Sequence, residues 1–591
     1  MKHFIFLLIL NFVFNITNAQ VSDWRNKIDA SVLSKTESGE KVEFIVVMRQ
    51  QADVSRAKSL KIKEEKGNYV FTALQLVARQ TQKKVTEILA KEQATFHSFF
   101  VVNAIYTNGD AKLLQLLAKM DEVAYITSNP WTSLDMPADL QNANIPEARA
   151  GVEWGIRRIN GDEVWALGYT GQGVVVGGQD TGYDWQHPAI KQTYRGWNGS
   201  TANHNYNWHD AIHAISPVHG DSIPNPSLNP CGLDSKVPCD DNNHGTHTMG
   251  TMVGDDGMGN QIGVAPGARW IAARNMERGY GSPATYIECF EWFLAPTDLN
   301  NRNPDPSKAP HVINNSWGCP DFEGCNPSNW ALMEAAINNL RAAGVMVVQS
   351  AGNSGSSCGS VNNAAAIFEG AFSVGASQQN DTIAGFSSRG NVTVDGSGRL
   401  KPNVVAPGVG IRSAVRGGGY QSWNGTSMAG PHVAGVVALM ISANPDLAGQ
   451  VEKIEDIIEQ TAKPMLSNQS CGGRSGSEVP NNTYGYGRID ALAAVEKALQ
   501  LTTDVDSVSK NAEIKVFPNP AREEATLQLT GFYGEVVFNL FNATGQLTQS
   551  LSWDARVISL KPIDLSNLPK GIYFYQLTSG GTVLGGKLVK Q

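Results

Sequence analysis

Val174-Val175-Val176-Gly177-Gly178-Gln179-Asp180-Thr181-Gly182, residues 174–182, decides the fold. Its opening run is apolar without alternation, the pattern of a strand covered on both faces, and such strands belong to parallel sheets flanked by helices. Val345-Met346-Val347-Val348 repeats the pattern. Helix-like stretches lie at 330–343, 431–442 and 489–499. Residues 150–500 therefore read as α/β, a doubly wound and mostly parallel sheet. Sites in such sheets form at the carboxyl ends of strands. Asp180 follows its apolar run within a few residues, so it emerges at such an end.

Two further stretches fit an acid in that place. Asn243-His244-Gly245-Thr246-His247 offers an imidazole, and Gly425-Thr426-Ser427-Met428-Ala429-Gly430-Pro431-His432 offers a hydroxyl at the start of a small-residue apolar helix. A serine hydroxyl is a weak nucleophile until a base takes its proton. His244 can be that base, with Asp180 fixing its tautomer and stabilising the imidazolium. A helix start also carries unpaired N–H groups and a partial positive charge, both suited to an oxyanion. Singly, each signal has a plain structural reading: Ser427 as an N-cap, Asp180 as a turn residue, His244 and His247 as half a metal site with no third ligand pattern. All of those would have to hold together for the chemistry to be absent.

Asp180-Thr181-Gly182, His244-Gly245-Thr246-His247 and Gly425-Thr426-Ser427-Met428-Ala429 resemble the three motifs of subtilisin-like serine proteases, the subtilases, over roughly residues 150 to 500. The resemblance implies Asp180, His244 and Ser427 as the catalytic triad. Asn353, in Ser350-Ala351-Gly352-Asn353-Ser354-Gly355, matches the family's oxyanion-hole amide. It implies substrate-binding roles for Ala351 and Gly352, for Ser316-Trp317-Gly318, and for Gly279 and Gly281 of Gly279-Tyr280-Gly281. Their shared logic is strand addition, in which backbone bonds give affinity and pockets give selectivity. Catalysis needs no cofactor. One calcium site of the family is not matched, since His187-Pro188 is followed by Ala189 rather than a carboxylate. Asp240-Asp241 and Asp255-Asp256 leave other structural calcium open but read first as solvated loop charges.

Residues 1–19 read as a signal peptide: Lys2 and His3, an apolar run from Phe4 to Phe14, then small and polar residues to Ala19. No later run of about 18 apolar residues suggests a membrane span. Net charge is −8 with no long basic run, which speaks against nucleic acid as a partner. Seven cysteines suit an exported protein. Proximity pairs Cys231 with Cys239 and Cys319 with Cys325. A third pair, Cys358–Cys471, is expected without that support, and Cys289 is the leftover buried thiol. With no Cys-x-x-Cys pair, zinc is not indicated.

Residues 40–130 read as a separate unit of strand, helix, strand, helix, strand: Phe44–Met48, then 72–92, 99–106, Leu113–Met120 at helical spacing, and 123–127. A β-α-β-β-α-β order suggests a ferredoxin-like α+β module. Beside the subtilase motifs, residues 20–136 resemble the family's inhibitor-type propeptide, a folding aid that blocks the cleft. Residues 125–130 are expected near the cleft, with cleavage between about 129 and 151. A polar linker, 501–511, precedes an all-β tail, 512–591, expected as a β-sandwich. Val516-Phe517-Pro518-Asn519-Pro520, Leu568-Pro569-Lys570-Gly571-Ile572-Tyr573 and Lys587-Leu588-Val589 resemble the C-terminal sorting domains of type IX secretion. The rival reading is a carbohydrate- or surface-binding β-module. Together the resemblances imply a secreted or cell-surface serine endopeptidase that hydrolyses proteins through an acyl-enzyme and is made as an autoprocessed zymogen. The alternative is a catalytically silent adhesive protein on the same fold, which intact triad residues argue against.

Overall fold

Seven parallel strands form the central sheet in the order Val404–Pro407, Phe372–Ser377, Met346–Ser350, Val312–Asn315, Val175–Asp180, Arg269–Arg274 and Trp208–Asp210. The computed structural model describes residues 23–137, 151–219, 229–503, 513–530, 535–555, 560–579 and 582–591. The expected signal peptide and nearly all of the expected linker lie outside them. The strands carry apolar runs on both faces because both faces are covered, with polar residues gathered toward their carboxyl ends. Val176, Val312, Met346 and Val348 pack with the helices Thr426–Ala443 and Val451–Thr461 on one side. Ile271, Ile313 and Val347 pack with the helices Pro283–Leu294 and Pro327–Ala342 on the other. This is the doubly wound arrangement expected from residues 174–182.

Both helices of the second layer begin with a polar side chain and then a proline, Ser282-Pro283 and Asn326-Pro327, and each closes a reciprocal capping box. The helix Thr426–Ala443 is long and apolar enough to cross a membrane, yet 94% of it is buried inside the protein. Three disulfides join Cys231–Cys239, Cys319–Cys325 and Cys358–Cys471, and Cys289 is a buried free thiol; all four were expected, the first two pairs from proximity.

Among the described residues the N-terminal unit has four antiparallel strands in the spatial order Phe96–Phe99, Ala104–Gly109, Val42–Met48 and Val123–Ser128. Phe44-Ile45-Val46-Val47-Met48 is apolar at every position for a reason internal sequence logic misses. Phe44, Val46 and Met48 pack against the unit's own helices, whereas Ile45 and Val47 join the core that contains Phe290, Trp292 and Leu340. The sheet is therefore covered on its outer face by the middle domain. Two expectations need correction here. The stretch 72–92 is two helices, Lys63–Thr81 and Lys83–Lys91, hinged at Gln82, whose amide donates to Phe99 O and Asn103 Oδ1 at 2.8 Å each. The stretch 99–106 is not one strand, because the chain turns between Phe99 and Ala104. Glu291 imposes that turn by accepting the Phe100 and Val101 N–H groups, the latter at 2.9 Å.

The tail is strand-rich. Glu513–Phe517, Glu524–Thr530 and Leu560–Asp564 form one sheet, and Leu547–Asp554, Glu535–Asn542, Gly571–Ser579 and Thr582–Lys590 another. Leu527 and Ile563 of the first share a core with Phe538, Leu577 and Leu588 of the second.

Candidate active site

Asp180 is the last residue of its strand, next to the sheet's middle, and its side chain is 1% exposed. His244 is the first residue of the helix His244–Val253 and is fully buried. Its Nδ1–H donates to Asp180 Oδ1 at 2.7 Å and reaches Oδ2 at 2.9 Å. That bond fixes the tautomer and leaves Nε2 with a free lone pair. Nε2 has no hydrogen-bond partner among the described residues. Gly245 makes the approach feasible: a Cβ there would lie 2.1 Å from Gly182 O and 3.1 Å from Asp180 Cβ. The second imidazole, His247, is structural. Its Nε2–H donates to Ile411 O and Gln421 O at 3.1 Å, and its ring stacks on Trp423 at 4.6 Å.

Ser427 lies in the first turn of the helix Thr426–Ala443, which packs directly on the histidine helix and on the strands of the sheet. Pro431 stands four residues on and has no N–H, so the Ser427 carbonyl loses its helical donor. Ser316 fills the gap by donating its hydroxyl to Ser427 O at 3.2 Å, and Asn314 Nδ2 holds that hydroxyl at 2.9 Å. In return the Ser427 hydroxyl donates to Ser316 O at 3.4 Å. A bond that long is weak. Ser427 and His244 are not hydrogen-bonded to each other in this state.

Asn353 follows the strand Met346–Ser350, as expected. Its Oδ1 accepts from Thr426 N–H at 2.9 Å and from the Thr426 hydroxyl at 3.0 Å, which ties it to the serine helix. Its amide nitrogen donates to the backbone carbonyl of Asp135 at 2.8 Å, and its own N–H donates to Asp135 Oδ2 at 2.9 Å. Burial raises the Asp135 carboxyl above its ordinary range. Upstream, Thr132-Ser133 pairs antiparallel with Tyr280-Gly281, and Leu134 N–H donates to Gly279 O at 2.8 Å. Gly279 adopts φ +88° there, and a Cβ would fall 3.8 Å from that of Leu134 and 3.1 Å from Asn242 Nδ2. Gly279 and Gly281 thus meet an extended chain, the protein's own residues 132–134. Ser316, Trp317 and Gly318 do so less fully. Gly318 O accepts the Thr132 hydroxyl at 3.2 Å, Trp317 is buried against Tyr286, and no backbone ladder forms with 316–318 among the described residues. Gly352 N–H donates to Thr426 Oγ1 at 3.2 Å, and Ala351 is fully buried beside it.

The segment in the cleft corrects one expectation. It is 132–135, not 125–130. Residues 125–130 instead cover helix N-termini: the Thr127 and Ser328 hydroxyls meet at 2.6 Å, and Ala284 N–H donates to Asn129 Oδ1 at 2.9 Å. The residues from 138 to 150 fall outside the described ones.

Asp240 is the site residue that sequence reasoning passed over as a loop charge. It is 4% exposed and braces the backbone beside both Asp180 and His244. Oδ1 accepts from the Thr181 hydroxyl and from the N–H groups of Asn242 and Asn243, each at 2.9 Å. Oδ2 accepts from Thr246 N–H at 3.1 Å and its hydroxyl at 2.6 Å, capping the histidine helix whose own cap residue, Asn243, donates no side-chain cap. Thr181 in turn accepts Gly245 N–H at 3.1 Å. The signal was an acid placed just before His244, but nothing in sequence told it from a solvated one. Asp256 is likewise occupied, by Asn260 and Tyr420.

Residues 171–487 match the Subtilase family, and residues 515–591 match the Secretion system C-terminal sorting domain. Bacillopeptidase F of Bacillus subtilis (strain 168) is 36% identical over 502 residues, 80% of this chain but 32% of that protein, so the chain spans about a third of that relative. Subtilisin Savinase of Lederbergia lenta is 32% identical over 344 residues, 58% of this chain and 98% of that protein. Subtilisin E of Bacillus subtilis (strain 168) is 28% identical over 422 residues, 71% of this chain and 87% of that protein.

Proposed function

The chain belongs to the subtilase family of serine proteases, and we propose that it is a secreted endopeptidase made as a self-processed precursor. The tail marks it as a protein exported by type IX secretion, free or at the cell surface. Subtilase chemistry needs no cofactor. Ser427 is the nucleophile, His244 the general base and then acid, and Asp180 the group that orients the imidazole. With the Ser427 hydroxyl rotated off its long bond to Ser316 O, His244 Nε2 is the acceptor that takes its proton. Attack on the peptide carbonyl gives a tetrahedral oxyanion, held by Asn353 Nδ2 and the Ser427 N–H. Collapse expels the amine with the proton from His244, and water then cleaves the acyl-enzyme.

One observation carries this reading. The chain's own segment 132–135 lies along Gly279–Gly281 as an added strand and delivers a backbone carbonyl, that of Asp135, to Asn353 at 2.8 Å. A carbonyl in that seat belongs to the acyl side of the bond to be cut, so the maturation bond is Asp135–Met136. The N-terminal unit, 20–135, is then an inhibitor-type propeptide of ferredoxin-like build and a folding aid. It covers two helices of the middle domain and fills the cleft. Slow-forming parallel sheets give such an aid a purpose. The tail, 512–591, is a β-sandwich whose partner is the secretion machinery, and substrates are proteins or peptides.

Labelling of the mature protein with a fluorophosphonate tests the chemistry. The reading predicts one covalent adduct, on Ser427, and none on Ser427→Ala. No adduct on the wild type would favour the silent adhesive protein.

A further inference from the structure

Away from the triad, three imidazoles surround one buried carboxylate where the N-terminal unit meets the middle domain. Glu288, in the helix Pro283–Leu294, accepts from His209 Nε2 at 2.9 Å and from His213 Nε2 at 2.9 and 3.0 Å. His97, on the strand Phe96–Phe99, stands with Nδ1 4.0 Å from Glu288 Oε2. The donor atoms of His97, His213 and Glu288 all lie within 4.8 Å of one another.

The surroundings have the build of a metal centre. His213 Nδ1–H donates to Asp234 at 2.6 Å, which turns Nε2 toward the cluster, and a carboxylate behind a ligating histidine is what fixes such rings. His209 stacks on Trp292, with ring centroids 5.8 Å apart, and His97 packs on Phe99 at 4.8 Å, giving an apolar wall. His97 and His213 remain 36% and 41% exposed, so an ion has a way in. Nitrogen donors with one carboxylate suit zinc-class ions rather than calcium or magnesium. Bonds of about 2.0–2.2 Å bring tetrahedral ligands to about 3.3 Å from each other. The half-exposed rings of His97 and His213 have room to close that difference.

We propose that a divalent transition-metal ion of the zinc class binds His97, His213 and Glu288, with His209 as a further donor, and clamps the N-terminal unit onto the middle domain. One ligand comes from the segment read above as a propeptide, so the clamp's effect on inhibition rests on that reading; the binding site itself does not. When the propeptide leaves, the ion loses His97. The same ion holds the precursor shut and is weakened by maturation.

The test uses the full precursor carrying Ser427→Ala, so that it stays uncut. Titration with cobalt(II), followed by its visible absorption, and with zinc(II) by calorimetry should give one ion per chain. His97→Ala should weaken zinc binding at least tenfold, and Asp234→Asn, which touches no metal, should weaken it about tenfold. Absence of one-to-one binding at micromolar zinc would overturn the proposal, as would equal affinity of the parent and His97→Ala. His97→Ala changes a part-exposed side chain at a strand, so loss of fold does not cloud it, and circular dichroism checks this. Inhibition of mature enzyme by added fragment 20–135 should tighten about tenfold with zinc. If the fragment does not inhibit at all, the propeptide reading fails while cobalt binding still decides the site.

Discussion

At the residue scale the arrangement rests on side chains whose partners are set from far along the chain. Asp180 and His244 are 64 positions apart and meet at 2.7 Å because a strand end and a helix start are brought together by Gly245, which lets the helix close on the Gly182 carbonyl. Asn353 is tied to the Ser427 helix through Thr426, so its amide nitrogen is held toward the Asp135 carbonyl. Asn353→Ala should therefore leave the fold and KM nearly unchanged while lowering kcat about 10²–10³-fold, the loss already known for one such donor in subtilisin. Steady-state kinetics on a peptide anilide checks it. Asp180, His244, Ser427 and Asn353 could be singled out in the sequence because each residue type sits in a short motif. Asp240 could not: its role as external cap of the histidine helix exists only once Thr181, Asn242, Asn243 and Thr246 converge on it.

At the scale of elements, the apolar runs announced the sheet, since strands covered on both faces carry no polar alternation. The serine helix shows what such a reading leaves out. Pro431 frees the Ser427 carbonyl, and a hydroxyl from the neighbouring strand's end, Ser316, replaces the missing donor. Ser316→Ala leaves a buried carbonyl unpaired and should cost about 1–3 kcal/mol, read as a lower denaturant midpoint with unchanged slope. The misread stretches 72–92 and 99–106 fail for one reason. Local periodicity cannot see Gln82 bonding across to Phe99 O, nor Glu291 of another domain folding residues 100–101 into a turn.

At the scale of the whole molecule, the N-terminal unit is built into the middle domain rather than appended to it. Ile45 and Val47 complete a core that begins in the sheet's second helix layer, and Asp135 reaches Asn353. The junction is pH-sensitive through Glu291, which burial pushes up to about 8. A carboxyl that keeps its proton in the folded precursor but loses it near 4.5 when unfolded favours folding below that range. Its contribution is lost as pH rises from about 4.5 to about 8. The precursor's thermal midpoint should fall across that window, and Glu291→Gln should flatten the slope, as scanning calorimetry of the Ser427→Ala precursor would record. The central claim is that Asp180, His244 and Ser427 cut a peptide chain lying along Gly279–Gly281, beginning with the protein's own. Intact-mass and N-terminal analysis of purified wild-type and Ser427→Ala precursors tests it most directly. A new amino terminus at Met136 in the wild type, at a rate independent of protein concentration, with Ser427→Ala left whole, is the predicted result. Cleavage of Ser427→Ala at the same bond, or a wild-type chain that never cuts itself, would contradict it.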